Sequence, residues 1–363
     1  MTPISTPFSF SDAFAQIRRP EILQKKELDE YLQAGWFRIG QSIFTTQFLK
    51  FTHVVYNALW LRIHLTHFQL STSQQKLLKR NERFATVIND FDVTVEMEEL
   101  YQHYKTGIPF ETGKNVQTIL GLEHNINIFH SKVIRVYDGN RLIGCGVFDL
   151  GEQAAAGIMT FYHPDYKKHS LGHFIILQKL LYCQREGFQF FFPGYLVPGY
   201  KPFEYKRKLG GQQTQFFDFT CRNWRTLHDQ EALTMPFETM QHKLHELQVQ
   251  LTLHQIECEV LHYSYFEVQL MPGFQQQQLF DYPIFLFIKT PLAIDGILVA
   301  VYNVYTDEFN VMLCTHIWLT HQVEPVIGYY SQSVLEILGS LFNEKTIDSF
   351  IQRLIPLSQT EST

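Results

Sequence analysis

The tripeptide Asp138-Gly139-Asn140 separates two strand-like runs, Lys132 to Tyr137 and Arg141 to Asp149. Asp, Gly and Asn tolerate positive φ, so the spacing predicts a hairpin. Gly157 to Tyr162 (GIMTFY) reads as a third strand, followed by the loop HPDYKKHSLG and a helix from His173 to Arg185. A stop at Gly187 and a very apolar strand, Phe188 to Phe192, complete the block. Antiparallel strands that run on into strand, loop, helix and strand need one crossover, so this block is an α/β unit.

The flanks divide into two further blocks, giving expected domains at 1–90, 91–225 and 226–363. The first has a helix over Glu21 to Ala34 and an apolar segment from Trp36 to Leu65. In it Ser71-Thr72-Ser73-Gln74 offers hydroxyls to cap a helix that carries Arg80 and Asn81. The second opens with a helix over Val95 to Tyr104. The third is expected to hold a helix near Glu238 to His254 and strands near Ile256 to Leu270, Tyr282 to Ile288, Ile297 to Tyr305 and Phe309 to Ile317. A final helix is expected over Tyr329 to Phe342, and Gln275 to Gln278 is expected to be a loop. The fold class expected for the whole chain is α+β.

Composition removes several classes. Apolar residues make up 45% and charged residues 18%, so a wholly disordered chain or a coiled coil is excluded. The aromatic share, 15% with 32 Phe and 18 Tyr, points to aromatic cores or an aromatic-lined cleft. The cysteines at 145, 183, 221, 258 and 314 form neither a CxxC knuckle nor a compact disulfide framework, which suits a reduced, cytoplasmic setting. The first residues lack a basic start followed by an apolar stretch, so no signal peptide is expected. Tyr282 to Tyr305 is broken by Lys289, Pro291, Asp295 and Gly296, so no membrane association is expected. The pairs His169/His173 and His242/His245 lack the Glu placement of a zinc protease helix, so neither a metal nor another cofactor is expected.

Net charge is −6, yet Thr160 to Arg225 holds ten lysines and arginines against four acids. A basic middle in an acidic chain is either the footprint of a phosphate or RNA contact or simply a solvated face. The loop Lys167-Lys168-His169-Ser170-Leu171-Gly172 enters a helix directly after a strand. Free amides at the helix start favour an anionic group, Gly172 permits close backbone approach, and the lysines add charge.

With its neighbours this segment resembles the C-terminal half of arginyl-tRNA-protein transferases and bacterial aspartate/glutamate leucyltransferases. Met159 to Pro164 resembles their YTFFDP stretch, Ser170 to Leu177 their SLGxYxIL, Gly194-Tyr195-Leu196 their GYY and Tyr205-Lys206 the end of their xKMxYK. Upstream, Leu32 to Gly40 resembles GWRRFG, and Ser73-Gln74 through Arg80-Asn81 resembles SQRRxxRRN. The resemblance spans about residues 28 to 208. It implies a GNAT-like acyltransferase core, with an N-terminal α+β domain and an additional C-terminal α+β domain. It also implies transfer of an amino acid from an aminoacyl-tRNA donor to the N-terminal amine of a protein or peptide. Tyr195 and Tyr205 are the expected catalytic groups, relaying a proton to the leaving ribose oxygen. Phe161, Ser170, Gly172, His173, Lys206, Arg207, Lys208, Arg80 and Asn81 are expected at the donor site.

The chain departs from that family in three places. Tyr56 to Arg62 stands where the family has cysteines, Pro202-Phe203 stands where it has Lys-Met, and 226–363 has no counterpart. Two other functions remain open on these residues. One is an N-acyltransferase using acyl-CoA; the other is a non-catalytic binding protein.

Overall fold

The computed structural model describes residues 13–108, 112–122, 126–228, 234–271, 273–274, 278–289, 296–318 and 326–359. They fall into two units, and neither is one continuous stretch. The first lies within 17–45 and 58–231, the second within 9–16, 46–57 and 232–363.

The first unit contains α1 (Lys25–Gln33), β1 (Leu59–His64), α2 (Thr72–Asn81), β2 (Ala85–Asp90) and α3 (Val95–Thr106). It continues with β3 (Ser131–Asp138), β4 (Arg141–Leu150), β5 (Ala154–Tyr162), α4 (Leu171–Arg185), β6 (Phe190–Leu196), β7 (Thr214–Asp218) and β8 (Asn223–Thr226). The strands form one eight-stranded sheet in the order β8-β7-β1-β6-β5-β4-β3-β2. β1 from the first sequence block therefore lies between β6 and β7 of the second, so 1–90 and 91–225 do not form separate bodies. The hairpin stands where the sequence put it: Asp138 pairs Arg141 and Gly139 takes φ +60°. Ser71 accepts the Gln74 amide while the Gln74 side chain returns to the Ser71 amide, a reciprocal cap that starts α2.

α4 is the crossover between β5 and β6, which run parallel. Its Phe174, Ile175, Leu177 and Leu180 pack with Ile134, Val136 and Phe148 on one face of the sheet. Met97, Leu100 and Tyr101 of α3 pack with Val133, Cys145 and Val147 on the other. Each such buried side chain stabilises by about 1.5–3 kcal/mol. Gly146 lets α4 lie close, because a Cβ there would sit 2.4 Å from Ile175 Cγ2 and 2.6 Å from Lys179 Cε. Arg38 and Asp149 form a buried ion pair at 3.0 Å, to which the Ser131 hydroxyl adds a 2.6 Å bond.

The second unit contains α5 (Pro236–Leu253), β9 (Cys258–Tyr263), β10 (Ile284–Ile288), β11 (Ile297–Asn303), β12 (Glu308–Ile317), β13 (Val334–Glu344) and α6 (Ile347–Gln359). β9 to β13 form an antiparallel sheet in chain order, with the short strand Tyr329–Tyr330 parallel to β9 at one edge. Phe237, Met240, Leu244, Leu247 and Leu251 recur at three- and four-residue spacing, and all are buried in the core of this unit. The helix expected over Tyr329 to Phe342 is instead largely strand, because β12 offers an open edge that β13 pairs along its whole length. The helix at this end is α6, further along the chain. Most of the expected loop at Gln275 to Gln278 lies outside the described residues.

A hairpin of Phe48–Phe51 and Val54–Asn57 also belongs to the second unit. Phe14 packs edge-on against Tyr282 at 4.9 Å, and its amide donates to Asp281 at 2.6 Å. Burial pushes the Asp281 carboxyl up to about 7.

Candidate active site

β5 and β6 pair at only three positions, Ala154 to Ala156 with Phe190 to Phe192, and β5 carries a bulge between Gly157 and Met159. Beyond that point the backbone of β5 has no partner strand on the β6 side. The Lys179 ammonium, fully buried on α4, takes part of that role. It donates to Val147 O at 2.9 Å, Met159 O at 2.8 Å and Thr160 Oγ1 at 3.0 Å. Burial pulls its pKa down to about 7. All three protons of the ammonium thus hold β4 and the bulged part of β5 together.

Three recesses adjoin the parted strands. A small one of about 130 Å³ is lined by Met159, Thr160, Lys179, Tyr205 and Lys206 among others. A second, of about 290 Å³, lies over the start of α4 and takes in Tyr104, Thr160, Tyr162, Lys167, Ser170, Gly172 and Tyr205. The largest, about 590 Å³, has Leu77, Leu177 and Leu209 along its wall, with Gln74, Glu204 and Tyr205. Tyr205 lines all three. His173 lines the two larger ones, its ring meeting Tyr205 edge-on at 5.1 Å. Burial pushes the Tyr205 phenol up to about 12 and pulls the His173 imidazole below its ordinary value. At neutral pH the phenol keeps its proton and the imidazole is neutral.

The turn into α4 explains why its first amides face a cavity. Pro164–His169 forms a 3₁₀ turn, and Ser170 takes φ +53°, where its hydroxyl makes no cap to the helix. The Asn81 and Arg80 side chains, expected at the donor, instead hold the turn from behind through the His169 carbonyl.

The remaining expected residues separate into groups. Tyr205, His173, Ser170 and Gly172 come together around the recesses. Phe161 does not: side chains alternate along β5, so Thr160 and Tyr162 line the recess while Phe161 packs edge-on against Tyr101 in the opposite core. Tyr195 meets Trp60 edge-on at 5.2 Å and stacks on Phe203 at 5.3 Å. Of the run Lys206-Arg207-Lys208 only Lys208 is exposed. Arg207 pairs with Glu204 at 2.7 Å, and the 3₁₀ turn Lys201–Lys208 carries Lys206 inward, where its ammonium donates to the Tyr195 carbonyl at 2.8 Å. Lys179 is the residue the sequence reading missed. Its signal is a lysine four residues after Ile175 and eight after Leu171, on the buried stripe of α4. Among the described residues no group of three or more His, Cys, Asp or Glu is placed to hold a metal ion, and no helix is long and apolar enough to cross a membrane.

Parted parallel strands, a helix start at a cavity and a protonated phenol lining all three recesses make up the candidate site, on an α+β fold. Residues 96–216 match the family described as arginine-tRNA-protein transferase, C terminus. Aspartate/glutamate leucyltransferase from Leptospira interrogans serogroup Icterohaemorrhagiae serovar copenhageni is 27% identical over 194 residues, covering 52% of this chain and 74% of the relative. The enzymes of that name from Xanthomonas campestris pv. campestris (strain B100) and Acinetobacter baumannii are 29% and 26% identical, covering 46% and 55% of this chain and 68% and 72% of their own lengths. Among solved structures, FemX superimposes with a TM-score of 0.36 at 10% identity, over 55% of this chain and 69% of that one. The chain is thus similar to aminoacyl-tRNA-protein transferases, at modest identity over about half its length. It is an aminoacyltransferase.

Proposed function

We propose that the first unit moves an apolar amino acid, leucine before arginine, from the 3′ ester of a charged tRNA to the N-terminal amine of a protein, on a GNAT-like core. The placement of Tyr205 in all three recesses carries this reading. The aminoacyl side chain lies along Leu77, Leu177 and Leu209. The carboxylate in that recess, Glu204, is already held by Arg207 and by the Gly199 amide at 3.2 Å, which disfavours a guanidinium guest. The start of α4 and Lys167 receive a phosphate near the ester. Parallel strands that part after three pairs support the GNAT-like reading of the core.

Aminolysis needs no covalent enzyme intermediate. The acceptor amine attacks the ester carbonyl, backbone amides of the parted strand near Thr160 to Tyr162 face the oxyanion, and the C–O bond to ribose breaks. Tyr205 gives its proton to the ribose oxygen and regains one from the attacking nitrogen. Its raised pKa keeps that proton in place until a stronger base, the departing alkoxide, forms. Tyr195, packed between Trp60 and Phe203, serves as the wall behind Lys206. Incubating the protein with an acidic-N-terminus peptide and labelled leucyl-tRNA, arginyl-tRNA or acetyl-CoA tests the reading. Transfer from leucyl-tRNA is expected, and acetylation alone would move the protein to the acyl-CoA class.

A further inference from the structure

The acceptor enters this reaction as an ammonium ion, and something must remove its proton before nitrogen can attack. We propose that Lys206 is that general base, an assignment that rests on the aminoacyl-transfer reading of the site.

Lys206 is 8% exposed, and its only hydrogen-bond acceptor among the described contacts is the Tyr195 carbonyl. The rings of Tyr195 and Phe203 flank the nitrogen at 5.3 and 5.1 Å, and no carboxylate among the described residues pairs with it. Gly194 brings the backbone beneath it in the left-handed region, at φ +81°, where a Cβ would come within 3.2 Å of Nζ. A buried ammonium with one acceptor and no counter-ion is disfavoured against the neutral amine, and burial brings the pKa to about 7. That is close to the about 7.7–8.0 of a peptide α-amino group, so the proton transfers with little energetic bias.

Lys179 serves as the internal contrast. It lines the same recess and shares the lowered pKa, but its contacts to Val147, Met159 and Thr160 engage every proton of the ammonium. Lys206 spends one proton on Tyr195 and keeps a lone pair, when neutral, for a group entering beside Thr160 and Tyr205.

The step balances as follows. Nζ takes a proton from the acceptor ammonium, leaving a neutral amine and a lysine ammonium. The amine forms the C–N bond as the ester C–O bond breaks, and Tyr205 shuttles the second proton from nitrogen to the ribose oxygen. The lysine ammonium returns its proton to solvent, so one proton is released per transfer.

The test compares two nucleophiles with leucyl-tRNA as donor: a peptide, and hydroxylamine, which is already neutral at working pH. Lys206→Met is expected to slow peptide transfer by about a hundredfold or more and hydroxylamine transfer by less than about tenfold. Lys206→Arg keeps the charge and cannot accept a proton, so it is expected to be as slow as Lys206→Met with peptide. Equal losses with both nucleophiles, or a near-normal rate for Lys206→Arg, would overturn the assignment. Should Lys206→Met not fold, the wild-type profile decides: an acid limb near pH 7 with peptide and none with hydroxylamine is expected, and matching limbs would overturn it. A wild type that reacts with neither nucleophile from any charged tRNA overturns the transferase reading itself, and the base assignment with it.

Discussion

The side-chain amide of Asn81 donates to the carbonyl oxygen of His169 at 3.0 Å, and so ties the end of α2 to the turn that aims α4 at the cavity. Arg80 reaches the same oxygen at 3.1 Å from the exposed side. The pair places the helix start rather than touching the donor. Asn81 is fully buried, so Asn81→Ala is expected to cost about 1–3 kcal/mol by removing two hydrogen bonds in a dry site. It is also expected to raise KM for charged tRNA more than it lowers kcat. Thermal melts and initial rates check this, and an unchanged KM would confine Asn81 to stability.

Tyr205→Phe is expected to lower the transfer rate about a hundredfold or more while shifting Tm little, since only a hydroxyl is lost. Tyr195→Phe is expected to keep a near-normal rate, because its ring contacts with Trp60 and Phe203 survive. Equal rates for the two variants would return the proton donor to another group.

Lys167 and Lys208 are exposed cations lining the recesses, and the exposed Lys168 follows Lys167 in the chain. Replacing all three by Gln is expected to weaken tRNA binding and to flatten its dependence on salt, because fewer counterions are released. Lys206→Met is expected to leave that slope unchanged, being too buried to neutralise a phosphate. Binding titrations across a salt series distinguish the two.

The two units are expected to respond to pH with opposite signs. In the first, Lys179 and Lys206 are held at about 7 when folded, so between there and the ordinary lysine range the unfolded chain binds more protons. Their destabilisation is complete below about pH 7 and is relieved as pH rises. Lys206→Met is therefore expected to raise Tm at neutral pH while slowing peptide transfer by about a hundredfold or more. In the second, Asp281 and Glu267 are pushed up to about 7, so the stability they confer is complete below the ordinary carboxylate range and is lost as pH rises through about 7. Asp281→Asn is expected to flatten that decline in urea midpoints taken along a pH series.

Asp149→Ala leaves the Arg38 guanidinium buried without its carboxylate and is expected to cost about 3–5 kcal/mol. Chemical denaturation of the full chain measures it. A cost below about 1 kcal/mol would show that water reaches Arg38 in the variant.

The middle block was legible because its signals are local: a positive-φ turn, a capping hydroxyl, a stop glycine. Ser170 and Gly172 were read from the loop that enters the helix, and His173 and Tyr205 from the family resemblance. Burial was harder to see. Lys206 and Lys208 look alike in the string KRK, and only the 3₁₀ turn decides which one points inward. Phe161 matched the family stretch, yet strand alternation sends it to the core and leaves its neighbours at the recess. The stretch around Val334 suits a helix as well as a strand, since apolar residues at 334, 335, 337, 338, 341 and 342 satisfy either period. The open edge of β12, a tertiary fact, settled it.

The interleaving of the two units along the chain limits how the protein can be dissected genetically. Phe14, Phe48 and Val55 precede most of the transferase unit in sequence, yet their packing partners, among them Phe237 and Tyr282, arrive only after residue 231. A gene stopped at that codon still encodes those side chains and strips away their cover, so the product is expected to aggregate however sound its catalytic half. A shorter, soluble transferase calls for excision of 46–57 together with the C-terminal stretch, and the first segment of the chain must be trimmed past Phe14 as well.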